Sequence, residues 1–139
     1  MQNIYPQLTA ERPTVSQSVL YEERADNDRV WNVNPDNATV SIFDVVTNAK
    51  LAEVSVGANP RSLALASDGS VWVTNKHSGS LSRIRTSDFQ VLSTISLGRG
   101  TEPHGVAVDP QGQHAYVALD GSGEVVQLNA AAGAALVRL

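Results

Sequence analysis

Three segments of this chain repeat one another. Residues 30–42, 71–84 and 115–128 align, with Trp31 preceding Trp72 by 41 positions and Trp72 preceding Tyr116 by 44. Gly57 and Gly98 are 41 apart, and Pro60 and Pro103 are 43 apart. Asp68-Gly69 matches Pro110-Gln111-Gly112, with one extra residue in the turn. A period near 40–45 residues suits both sheet-based blades and some helical repeats, and in either case each repeat is a unit that buries itself against its neighbours.

The pattern inside the repeat decides between them. Residues 63–66 are a short apolar run closed by the turn signal Ser67-Asp68-Gly69. Residues 71–74 are β-branched and aromatic, residues 80–85 alternate with period two, and residues 91–97 largely do the same. Four short strands per repeat predict an all-β fold, a β-propeller of four-stranded antiparallel blades. No segment carries a helical apolar pattern over three turns. The nearest is the alanine-rich stretch 130–137, which Gly133 interrupts and which the alignment reads as turn plus strand. The blades are expected at about 19–57, 58–98 and 99–139, behind an N-terminal extension over 1–18. Val19-Leu20-Tyr21-Glu22 is the expected first strand of blade 1. Ala64, Ala66, Gly105 and Ala107 fall on first strands, where blades crowd near the axis. Trp31, Trp72 and Tyr116 fall on second strands, as packing between blades. Trp72 is expected beside Leu63, Leu65 and Ile84.

Composition narrows the partners. The 139 residues carry a net charge of -4 without a basic cluster, which argues against nucleic acid and anionic membrane surfaces. No apolar run approaches the ~20 residues of a membrane helix, so membrane insertion is not expected. Cysteine is absent, which excludes disulfides, thiolate catalysis and cysteine metal sites. The first residues lack the basic start and apolar core of a signal peptide.

Specific residues resemble a known family. Trp72-Val73-Thr74-Asn75 is similar to Tyr-Val-Thr-Asn, the signature of the YVTN-type β-propeller repeat. Residues 59–65 and 102–108 resemble its blade-opening segment, residues 40–44 its third strand, and residues 53–57 its closing strand. Leu119 departs from the signature asparagine in the third repeat and leaves that blade's turn in question. The resemblance covers about 28–139 and includes lactonase-like, quinoprotein-amine-dehydrogenase-like and surface-layer-like proteins. It implies a seven-bladed parent, of which about three blades are present here, and a periplasmic or extracellular setting. Leu139 aligns with Ile95, so the last repeat stops inside a strand. A fragment of a longer protein is therefore expected, whose partners are the missing blades or other copies through exposed blade faces.

Turns joining strands two and three share a face with the connections between blades. That face carries Asn59 and Arg61, then Asn75, Lys76 and His77, then Arg99, Glu102, His104 and Asp120. The candidate ligand-binding residues at this channel mouth are Arg61, Asn75, His77, Glu102 and His104. Glu102 and His104, two apart on a strand, can face one side, but three scattered histidines give no metal-ligand spacing, and no metal or cofactor is indicated. No Gly-x-Ser-x-Gly elbow is present, and Gly98-Arg99-Gly100 opens no helix, so no catalytic set is assigned. The expected function is a non-enzymatic module that binds a protein or small molecule, or scaffolds. The alternatives are the propeller portion of a lactonase-like hydrolase or of a quinoprotein or haem-linked redox enzyme, and a surface-layer or adhesion repeat.

Overall fold

The computed structural model describes residues 17–129 and 136–139. They form twelve strands and no helix. Blade 1 contains β1 (Val19–Glu22), β2 (Arg29–Asn34), β3 (Thr39–Asp44) and β4 (Lys50–Ser55). Blade 2 contains β5 (Pro60–Leu65), β6 (Ser70–Asn75), β7 (Ser80–Arg85) and β8 (Val91–Ser96). Blade 3 contains β9 (Pro103–Val108), β10 (His114–Leu119), β11 (Glu124–Asn129) and β12 (Leu136–Arg138). Each blade is one antiparallel meander, its strands hydrogen-bonded in chain order. This is three blades of β-propeller architecture, as the repeat predicts. Most of the N-terminal extension, and 130–135 of the alanine-rich stretch, lie outside the described residues. Leu136–Arg138 is the strand expected there.

The repeat is visible in the backbone as well as the sequence. Ala38, Gly79 and Gly123 share one repeat position and all have positive φ, at 56°, 63° and 71°. Asn48 and Phe89 do the same at 61° and 62°. These turns hold a left-handed residue that only glycine adopts without cost.

Register sorts the side chains into two faces per blade, because alternate residues point to opposite sides. In blade 1, Leu20, Trp31, Ile42 and Ala52 stand opposite one another across the four strands. Their counterparts are Ala64, Trp72, Arg83 and Ser93 in blade 2. In blade 3 they are Ala107, Tyr116, Gln127 and Val137. The rows of blades 1 and 2 each face the following blade. Trp31, Val40 and Ile42 pack against Leu63, Val71, Val73 and Ile84 of blade 2. Trp72 and Leu81 pack against Val106, Val117, Val126 and Leu128 of blade 3. The core is thus two seams, one between each pair of blades.

The register also corrects the expected surroundings of Trp72. It is buried, but Leu63, Leu65 and Ile84 are not its neighbours. Trp72 stands opposite Ala64 and Arg83, and the residues flanking those two point to the other face of the sheet, into the seam with blade 1.

A buried ion pair of blade 1 lies at the first seam. Arg29 Nε and Nη2 donate to the two Glu22 carboxylate oxygens at 2.8 and 3.1 Å, with both side chains under 10% exposed. Arg29 Nη2 also donates to the Thr86 carbonyl of blade 2 at 2.7 Å, and its guanidinium lies 4.8 Å from the Phe89 ring. Trp31 Nε1 donates to the same Glu22 carboxylate at 2.8 Å. Both Glu22 oxygens and the Nε and Nη2 of Arg29 are thus hydrogen-bonded inside the fold, as such burial requires.

Candidate functional site

The connections between blades and the turns between second and third strands do meet on one face. Val56 N–H donates to the Ala38 carbonyl and Leu97 N–H to the Gly79 carbonyl, equivalent bonds in successive blades. Lys76 N–H donates to the Asn59 carbonyl and Asp120 N–H to the Glu102 carbonyl, another equivalent pair. The blade 2 turn is thus fixed to the linkers on either side of it, and those of blades 1 and 3 to one linker each. Gly121 sits so close to the Gly100 carbonyl that a side chain at 121 would strike it.

Between blades 2 and 3 this face opens into a cavity of about 360 Å³, lined by Asn59, Lys76, His77, Arg99, Gly100 and Glu102. Asn59 and Glu102 are equivalent residues before the blade-opening prolines, and both have positive φ, at 58° and 52°. Asparagine tolerates that conformation; glutamate does not gain from it. Backbone held in such a region persists only where its surroundings fix it, as the Asp120 bond to the Glu102 carbonyl does here.

Three side chains beside the cavity form a hydrogen-bonded chain across the seam. Asp120 Oδ2 accepts from Lys76 Nζ at 3.2 Å and from His104 Nδ1 at 3.0 Å. An ionised carboxylate only accepts, so His104 carries its proton on Nδ1 and leaves Nε2 for another partner. The bond from His104, then that from Lys76, holds the Asp120 carboxyl below its ordinary pKa. Lys76 and Asp120 occupy the same position in successive repeats, so opposite charges at one repeat position become partners across a seam. Sequence comparison of the repeats contains that signal.

The five residues proposed from sequence separate. His77 and Glu102 line the cavity and are exposed. His104 is half-buried in the ion chain beside it. Arg61 is exposed on β5 and is not a lining residue. Asn75 is a correction: it is fully buried and does not open to the mouth. Its Nδ2 donates to Ser80 Oγ at 3.1 Å and to Ser82 Oγ at 2.9 Å, clasping β6 to β7. Asn34 makes the equivalent bonds to Thr39 Oγ1 and Ser41 Oγ at 3.0 and 2.7 Å. This asparagine is thus structural. In blade 3 the clasp is replaced whole: Leu119 stands for the asparagine, and Glu124 and Val126 for the two hydroxyl residues. Leu119 is buried in the seam with blade 2, and the turn after it still forms.

Among the described residues no group of three or more His, Asp or Glu side chains is placed to hold a metal ion. Lys76, Arg99, Asn59 and Gly100 complete the cavity and were not among the five. Their side chains give no spacing signal, because the seam joins linkers and turns distant in sequence.

Solved structures share this fold. The Kuenenia stuttgartiensis hydrazine synthase superposes with a TM-score of 0.72 at 26% identity, over 79% of this chain and 31% of that one. The dihydro-heme d1 dehydrogenase NirN superposes at 0.74 and 19% identity, over 88% and 27%. The virginiamycin B lyase of Staphylococcus aureus does so at 0.69 and 15% identity, over 91% and 45%. These neighbours are β-propeller proteins. The chain spans less than half the length of each of the three. The sequence matches no protein-family model, and no curated protein matches it.

Proposed function

We propose that this chain is a binding module, the YVTN-like portion of a larger exported propeller protein, that takes a small carboxylate- or phosphate-bearing molecule at the seam of blades 2 and 3. The observation that carries the reading is the composition of the 360 Å³ cavity. Lys76, His77 and Arg99 line it against a single carboxylate, Glu102. The ammonium of Lys76 is positioned by Asp120, and Arg99 offers a planar fork suited to carboxylate or phosphate. The backbone bonds from Lys76 to Asn59 and from Asp120 to Glu102 hold two sides of the cavity in place, which lowers the cost of binding. No nucleophile–base pair lines it, and this favours binding over catalysis.

Thermal unfolding with citrate and with inorganic phosphate tests the reading. A ligand that binds only the folded chain raises its melting temperature with concentration. The wild-type midpoint should rise with one of the two anions, and Arg99→Ala should abolish most of that rise. An equal rise in wild type and Arg99→Ala would defeat the proposal.

A second reading, the propeller portion of a redox enzyme, draws on the 26% identity with the hydrazine synthase chain. On that reading the same face would meet another domain, and the cavity would be part of that contact.

A further inference from the structure

We infer that the outward face of blade 3 is a docking surface for a further four-stranded blade that presents branched aliphatic side chains. The argument is continuity with an interface already present twice. Trp31 and Ile42 of blade 1 are covered by blade 2, and Trp72 and Leu81 of blade 2 are covered by blade 3. Blade 3 carries the same row in the same register, as Ala107, Tyr116, Gln127 and Val137. Val125, the counterpart of Leu81, stands on that face too. Val125 is 39% exposed and Val137 55% exposed, whereas Leu81 is fully buried.

What covers such a row is set by what covers it elsewhere. Blade 2 meets Trp31 with Leu63, Val71, Val73 and Ile84. Blade 3 meets Trp72 with Val106, Val117, Val126 and Leu128. The occupant of the third row is therefore the aliphatic face of a blade, not a flat or charged surface. Blade 1 of a second copy fits less well. Where blades 2 and 3 have Val73 and Val117, blade 1 has Asn32, whose Nδ2 is already bonded to Asn34 Oδ1 at 3.0 Å.

The test extends the full chain by one blade. Because Leu139 N–H bonds the Val125 carbonyl, Leu139 takes the place of Ile95, and appending a copy of residues 96–139 keeps the register. The appended copy carries Tyr116→Phe, so that the original Tyr116 is read alone. Nitration by tetranitromethane is followed by mass spectrometry, with exposed Tyr21 as the internal standard. We expect Tyr116 to react at least about fivefold more slowly in the extended chain than in the 139-residue chain, and Val125→Asp to restore its rate. Unchanged reactivity would overturn the inference. So would a discrete dimer of the 139-residue chain with Tyr116 already protected, which would make a second copy the occupant. Should the extended chain not fold, binding of an apolar fluorescent dye to the 139-residue chain at a concentration where it is monomeric decides. Val125→Asp should lower the dye signal and Tyr21→Ser, on the blade 1 face, should not. An equal effect of both, or none from Val125→Asp, overturns the inference.

Discussion

Trp72 and Tyr116 hold the same register in successive blades, yet Trp72 is fully buried and Tyr116 is only partly covered. The difference is the presence of a following blade. Trp72→Ala should therefore cost ~3–5 kcal/mol, the range for a large aromatic removed from a core. Tyr116→Ala should cost about 1 kcal/mol or less, as at surface positions. Urea unfolding of the two variants measures both, and equal losses would contradict the seam assignment.

The asparagine clasp makes an asymmetric prediction. Asn75→Ala leaves the Ser80 and Ser82 hydroxyls in a buried site without their donor, and should cost about 1–3 kcal/mol. Asn34→Ala, at the half-buried equivalent in blade 1, should cost less. The reverse change, Leu119→Asn, should destabilise as well, since Glu124 and Val126 offer no hydroxyl pair and the amide would be buried unbonded. A stabilising Leu119→Asn in denaturant unfolding would show that blade 3 lacks only the asparagine.

The Glu22–Arg29 pair should behave as buried pairs do. Arg29→Met alone strands a buried carboxylate and should cost about 3–5 kcal/mol. The double variant Glu22→Leu/Arg29→Met removes both charges and should recover most of that loss. The indole N–H of Trp31, which loses its Glu22 acceptor in the double variant, accounts for the part not recovered. Chemical denaturation of the two variants checks the order.

Asp120 should set a small acid limb. Its carboxyl is held below its ordinary pKa in the folded chain by His104 and Lys76. A depressed folded-state value stabilises the fold above the unfolded-state value and ceases to do so as pH falls through the folded one. The stability difference between wild type and Asp120→Asn should thus be constant near neutrality and shrink from about pH 4 downward. The same difference at pH 3 and pH 7 would show that the ion chain adds nothing at neutral pH.

Strand content was legible because period-two alternation and turn residues recur in each repeat. Blade 1's first strand matches the repeat only loosely in sequence, and Val19–Glu22 does form it. Which face each residue joins was not. The placement of Trp72 depended on knowing that it stands opposite Ala64 rather than Leu63 or Leu65, a register that side-chain type does not reveal. Asn75 failed for a related reason. An asparagine at the end of a strand reads equally as a ligand group or as a hydrogen-bonding clasp, and only its partners on β7 separate the two. His77 and Glu102 were found because they sit in the turns and linkers themselves. The Arg29–Glu22 pair is not legible in the sequence, because two charges in a short hairpin read as surface residues until the neighbouring blade covers them.

The cavity between blades 2 and 3 is the centre of this account, and amide chemical-shift mapping during a citrate titration tests it most directly. The account predicts perturbations concentrated on Asn59, Lys76, His77, Arg99, Gly100 and Glu102, and their loss in Arg99→Ala. Perturbations spread over the remaining basic residues, such as Arg24, Arg61 and Arg85, or none at millimolar citrate, would contradict it.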